Sequence, residues 1–368
     1  MNQFKNILDY AENNIAPINT ISLNDVDALI FSWVSYFHLN EKVYKKNTFG
    51  SIPIKEIYNA KHFDSMLFDV CDIPSSKKLL SFLAASPRFR DVEIVYYEEM
   101  TKKKREKQFS AMTFRISKET YFVAYRGTDH SFVGWKEDLN MSFLKHIPSQ
   151  VAAKKYLNTV MKKYNGTYYI GGHSKGGNLA VYASSFIDNK YKKRIKKIYN
   201  FDGPSLNSKL INDESFKMIK NKIKKFVPQS SVVGMCFEKT VQYKIIKSNG
   251  IGFLQHIPFT WEIVNKKLTI LKNTTFDSKM FKVGINALTD KLSDEELKLF
   301  ANSVYNVVNA TNVKTFEEFL KDFYKNSQII LNEINKFDGK IKDIMKKVFT
   351  TYIGEVLNID KIRKSLLE

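Results

Sequence analysis

The chain has 368 residues, of which 43% are hydrophobic and 14% aromatic, and it carries a formal net charge of +20. That apolar content supports a sizeable core and excludes global disorder, while no stretch approaches the ~18 apolar residues of a membrane-spanning helix. The N-terminal residues lack a basic region followed by an apolar stretch, so no secretory signal is expected.

Only two cysteines occur, Cys71 and Cys236, without CxxC spacing. They are expected as free thiols in a reducing compartment, the cytoplasm. From Asp290 onward 13 lysines and arginines face 13 aspartates and glutamates, so the whole charge excess lies in residues 1–289. Its basic runs are Lys102-Lys103-Lys104-Arg105 and Lys190 to Lys197. Such a surface suits either an anionic membrane or plain solvation. Basic motifs interleaved with aromatics are missing, so nucleic acid is not an expected partner.

The first ~85 residues read mainly as helices. Asn24-Asp25 caps a helix over 26–39, and 54–68 and 77–86 are shorter helical candidates. Between 92 and 126 the period changes to that of strands. Residues 92–97, 109–116 and 120–125 form three β-branched and aromatic runs, the first two joined by the Lys/Arg-rich turn. A helix then fits 149–164, a strand 167–171, a helix 175–189 and a strand 195–201. Further strands fit 223–228 and 241–246. This alternation predicts an α/β fold with a mostly parallel sheet and helices on both faces. Residues 293–309, 315–335 and 338–356 are again helical in pattern.

Gly172-His173-Ser174-Lys175-Gly176 is the most specific segment. It follows an apolar strand, opens an Ala/Leu helix and fits G-x-S-x-G, the nucleophile elbow of α/β-hydrolase folds. A serine on so sharp a turn needs empty space on either side, which Gly172 and Gly176 provide. The amide of Lys175, at the start of the following helix, points to one donor for a developing oxyanion. A glycine-rich phosphate loop is the alternative, but the spacing G-x-x-x-x-G-K-[ST] is not met.

A nucleophilic serine needs a histidine base and an acid, in chain order Ser, acid, His for this fold. His38, His62, His130 and His146 precede Ser174, and His173 lies inside the elbow. Elimination leaves His256. Asp202, at the end of the strand before Gly203-Pro204, is the acid of choice, with Asp213, Glu214 and Glu238 as rivals. Asp202 could instead cap its own turn. The turn after Tyr125 offers Thr128, by amide and hydroxyl, as a second oxyanion donor. Arg126 reads as a structural residue paired with Asp138.

Arg126-Gly127-Thr128, then Trp135 and Asp138-Leu139, then the Gly-His-Ser-x-Gly-Gly elbow together resemble the class 3, fungal-type lipases. Gln108 to Met112, Tyr125 to Asp129, Gly134 to Asp138, Gly172 to Gly177, Phe201 to Pro204 and Gln255-His256 are more closely similar to a bacterial family of lipase-like α/β-hydrolases. The similarity spans roughly residues 20 to 265. It implies an α/β-hydrolase fold, Ser174 as nucleophile, His256 as base and Thr128 in the oxyanion hole. The chain departs from class 3 lipases at Phe226 to Gly234, where their acid would align and no carboxylate stands, which leaves Asp202. It departs from the bacterial relatives at Ile257, after the histidine, and at Ser205.

The expected protein is thus an α/β-hydrolase domain over 1–285 with a helical C-terminal extension over 286–368, a candidate cap. The expected activity is hydrolysis of carboxylic esters, lipids among them, through an acyl-enzyme, with no metal or organic cofactor. A thioesterase or peptidase on the same triad is the alternative within hydrolases. A non-catalytic hydrolase-fold protein on an anionic membrane is the alternative outside them.

Overall fold

A computed structural model describes residues 4–102, 107–128, 132–239, 241–313 and 322–365. The basic residues Lys103 to Arg105, and also Asp129 and His130, lie outside them. Among the described residues eleven strands are formed: β1 Phe49–Pro53, β2 Glu93–Lys102, β3 Lys107–Ser117, β4 Thr120–Tyr125, β5 Thr167–His173, β6 Ile195–Phe201, β7 Ile223–Pro228, β8 Tyr243–Ile246, β9 Ile263–Val264, β10 Lys267–Leu268 and β11 Ile270–Leu271. The helices of seven or more residues are α1 Ile7–Asn13, α2 Asp25–Val34, α3 Ile73–Ala85, α4 Phe132–Asn140, α5 Pro148–Lys163, α6 Lys175–Phe186, α7 Phe276–Lys291, α8 Asp294–Ala310, α9 Phe323–Asn335 and α10 Gly339–Ser365.

Nine strands make one sheet in the order β1-β2-β3-β4-β5-β6-β7-β8-β11, and β9 with β10 forms a separate hairpin. Strands β4 to β8 run parallel. The pairs flanking them, from β1 to β4 and between β8 and β11, are antiparallel. The sheet is therefore mixed, and the helices that cover it give the chain an α/β-hydrolase fold.

Two hydrophobic cores mark the two faces. Phe122 and Ala124 of β4 point into one with α1, α2 and α3, while Tyr121, Val123 and Tyr125 point into the other with α5 and α6. Successive side chains of a strand face opposite sides, so one strand feeds both layers. α2 begins where expected: the Asn24 side chain accepts from the amides of Val26 and Asp27, and the Asp27 carboxylate returns a bond to the Asn24 amide. Asp27 is then buried in a bidentate pair with Arg88, which also satisfies Tyr10. Paired charges are the form in which such groups are tolerated in a core.

Several elements escape sequence reading: β9 to β11, α7, β1 and α4. β1 is an edge strand in which only Ile52 is buried, so it shows no alternation. α4 sits between the turn at 126–128 and α5, in a segment with no clear helical period. The basic run at 190–197 is in part structural. Arg194 donates to the carbonyls of Met161 and Gly166 near the end of α5 and stacks over Tyr168 and Tyr191. Among the described residues no helix is long and apolar enough to cross a membrane. Neither Cys71 nor Cys236 is in a disulfide.

Candidate active site

Parallel strands of an α/β sheet gather functional groups at their C-terminal ends, and the predicted residues lie there. Ser174 follows β5 and precedes α6, with φ 57° and ψ −135°. A positive φ is unusual for a non-glycine residue and marks a strained turn. Its amide is tied to the Phe201 carbonyl at 2.9 Å. The clearance expected of the glycines is explicit. A Cβ on Gly172 would lie 2.2 Å from the Gly176 carbonyl carbon, and one on Gly176 would lie 2.0 Å from the Tyr125 oxygen. No side chain fits at either position.

Asp202 is the residue after β6, fully buried and also in a positive-φ conformation, 50°. Asp tolerates that region better than most residues. Its amide bonds the Phe226 carbonyl at 2.8 Å. One carboxylate oxygen, Oδ1, accepts from Ser231 Oγ at 2.5 Å and from the Gly234 amide at 3.2 Å. The other, Oδ2, lies 2.6 Å from Nδ1 of His256. The segment after β7 thus supplies no carboxylate. It supplies the hydroxyl and amide that hold the carboxylate of the neighbouring strand.

The rival acids are engaged elsewhere. Glu238 is buried against Lys225 and bonded to Ser205, Asp213 caps a short helix at Ser215, and Glu214 pairs with Lys217 on the surface. Burial raises the Glu238 carboxyl, but the Lys225 ammonium and hydrogen bonds outweigh this and hold it below its ordinary range. Among the other histidines, His146 bonds Tyr182, and His38 sits between Asp69 and Glu99.

On the opposite side of the elbow, the turn at 126–128 closes over Ser174. A Cβ on Gly127 would lie 3.0 Å from the Ser174 Cβ. The hydroxyl of Thr128 donates to Asp138 Oδ2 at 2.6 Å, so it is already engaged in a side-chain hydrogen bond. The pairing of Arg126 with Asp138 is corrected here. Arg126 is buried and structural, but its carboxylate partner is Glu99, 2.9 Å away on β2, because both lie beside Ser110 of the intervening β3. Asp138 turns instead toward Thr128 and lies 3.9 Å from Lys175 Nζ.

Lys175, whose amide was singled out, has an unforeseen side chain. Its ammonium is fully buried and 3.1 Å from Glu137 of α4, which is equally buried and also accepts the Ser149 amide. Glu137 was missed although the signal existed. A lysine directly after the nucleophile, on a helix packed against a sheet, requires a carboxylate partner. Also missed was Tyr36, at the end of the α2 region, whose hydroxyl reaches His173.

The model of the family described as Mbeg1-like matches residues 83–306, a span that holds Thr128, Ser174, Asp202 and His256. No curated protein matches the chain. Among solved structures, the chain is similar to M37 lipase at 17% identity and a TM-score of 0.35, covering 58% of this chain and 70% of that one. It is similar to Rhizomucor miehei lipase in its propeptide complex at 13% identity and 0.36, covering 74% and 88%. A fungal lipase–inhibitor complex gives 14% identity and 0.36, covering 64% and 99%.

Proposed function

The chain belongs to the Mbeg1-like family, and from that premise we propose that it is a lipase-like serine hydrolase that cleaves carboxylic esters through an acyl-enzyme. The observation that carries the reading is the Asp202–His256 contact at 2.6 Å, beside a serine on a strained strand-to-helix turn. Ser174 Oγ attacks the acyl carbonyl and passes its proton to Nε2 of His256. The carboxylate of Asp202 holds the Nδ1 proton, so it fixes the tautomer and stabilises the imidazolium that forms. The amides of Lys175 and Thr128 receive the negative charge of the tetrahedral intermediate, and each such donor is worth roughly 10²–10³-fold in turnover. The leaving alcohol takes the proton back from His256, and water then repeats the sequence to free the acid.

An apolar loop at the site supports lipid or long-chain acyl esters as the substrate class. Ile251, Phe253 and Leu254 are 84%, 60% and 57% exposed, and the Phe253 ring lies 5.5 Å from the His256 ring, centroid to centroid. Exposed apolar side chains next to a reacting centre favour an acyl chain or a lipid surface over a small polar substrate. With the positive charge of the chain they also support peripheral contact with anionic membranes. Cys71 and Cys236, outside any disulfide, suit a cytoplasmic location.

Fluorophosphonate labelling of the wild type, S174A and H256A tests the mechanism. We expect rapid labelling of the wild type, none of S174A and strongly slowed labelling of H256A. A folded wild type that does not label would remove the hydrolase reading.

A further inference from the structure

His173 precedes the nucleophile and takes no part in the proton transfer described above, yet both its ring nitrogens are engaged inside the protein. Nε2 lies 2.7 Å from the backbone carbonyl oxygen of His256, and Nδ1 lies 3.0 Å from the Tyr36 hydroxyl. A carbonyl only accepts, so Nε2 carries the proton and Nδ1 accepts from the tyrosine. That is the one-donor, one-acceptor capacity of a neutral imidazole. Burial first, and then the His256 ring beside it, push the His173 imidazole well below its ordinary value. Burial likewise raises the Tyr36 phenol, which stays a donor.

Tyr36 extends the contact to a third segment. Its hydroxyl oxygen also lies against Gly127, where an added Cβ would come within 2.0 Å of it. One Tyr–His pair therefore touches the turn at 126–128, the elbow, and the loop that carries His256. The two histidine rings pack against each other with centroids 4.4 Å apart and planes tilted by 38°.

The loop needs such an anchor. His256 ends a five-residue 3-10 helix, Gly252–His256, whose apolar side chains at 253 and 254 face solvent. Further ties include Gln255, whose side chain accepts the Ser230 amide and whose carbonyl accepts from Trp261 Nε1, and the Leu254 carbonyl, which accepts from Thr260 Oγ1. None of these acts on His256 itself. The His173 contact does, at the backbone of the residue whose ring must be shared between Asp202 and Ser174.

We propose that Tyr36 and His173 are positioning residues that hold the His256 backbone, and with it the imidazole bound to Asp202, in register with Ser174. The proposal deepens the triad reading and rests on it for its effect on rate. Its physical basis is that displacing a reacting group by about 1 Å can cost ~10²-fold in rate.

The test compares wild type, H173L, H173Q and Y36F, each shown to be folded by circular dichroism. Turnover of p-nitrophenyl butyrate gives kcat and KM. Proton NMR follows the low-field ring N–H of His256 bonded to Asp202, assigned by its absence in H256A. In H173L we expect kcat to fall about 10- to 100-fold at nearly constant KM, with the low-field resonance shifted or broadened. H173Q, whose amide can still donate to the His256 carbonyl, recovers part of the rate, and Y36F falls between. A folded H173L with wild-type kcat and an unmoved resonance overturns the proposal. Should H173L not fold, H173Q and Y36F decide: wild-type kcat and resonance in both overturn it. An inactive wild type defeats the triad reading separately, and the resonance in the variants still decides whether the anchor exists.

Discussion

At Asp202 a single carboxylate divides its work between its two oxygens. Oδ2 faces His256, and Oδ1 is held by Ser231 and Gly234. D202N keeps the shape but offers an amide, which can donate to Nδ1 and drive the imidazole proton to Nε2. A base protonated at Nε2 cannot accept from serine, so we expect kcat to fall about 10³–10⁴-fold with little change in KM. S231A removes one hydrogen bond from the far oxygen, worth about 1 kcal/mol, and should cost only ~5-fold. Steady-state kinetics of both variants on one ester checks the order. A D202N loss no larger than that of S231A would show that Asp202 is not the triad acid.

The residue scale is also where the sequence was most and least legible. The elbow is local, so seven consecutive positions announce a strand, two compulsory gaps and a helix. The approach of Asp202 to His256 spans 54 residues, yet chain order and strand ends narrow the choice. Nothing comparable announces Tyr36, which lies 137 residues from His173, in the turn just after the buried helix α2. The partner of Arg126 failed for the same reason. Asp138 is near in sequence, but strand neighbours in the sheet decided for Glu99.

Between elements, the buried pair Lys175–Glu137 joins the elbow helix α6 to α4. The same helix α4 carries Asp138, which fixes the Thr128 hydroxyl. The two groups proposed as oxyanion donors are thus set by one small helix, one through each adjacent carboxylate. Removing one member of a buried ion pair leaves an uncompensated charge and costs about 3–5 kcal/mol, while replacing both by apolar groups of similar volume can be nearly neutral. K175M and E137Q should each lower the unfolding free energy in urea by that amount, and K175M combined with E137L should regain most of it. Equal losses in singles and double would mean that the pair does not stabilise as a pair. Sequence periodicity could locate α6 because its strand precedes it directly. It could not locate α4, whose place is set by charge partners on other elements.

For the whole molecule, one polar cluster ties distant parts of the first 126 residues together and carries a pH dependence. His38, after α2, bonds Asp69 at 2.5 Å through Nε2 and meets Glu99 of β2 through Nδ1. Lys46 also pairs with Glu99, and Arg126 approaches both the histidine ring and Glu99. Burial opposes a charged His38, and Arg126 opposes it too, but hydrogen bonds to Asp69 and Glu99 outweigh them and raise the imidazole above its ordinary 6.5. Burial also disfavours the Glu99 carboxylate, yet His38 and the cations around it hold that group well below its usual range. A raised histidine binds its proton more tightly in the folded chain, so its stabilisation is complete below pH 6.5 and fades as pH rises through the folded value. The difference in unfolding free energy between wild type and H38Q should therefore be largest in mildly acidic solution and shrink steadily above neutrality. Urea denaturation of both proteins across that range measures it. A difference that grows with pH would mean that His38 is held neutral, with the two carboxylates kept ionised by Lys46 and Arg126 alone.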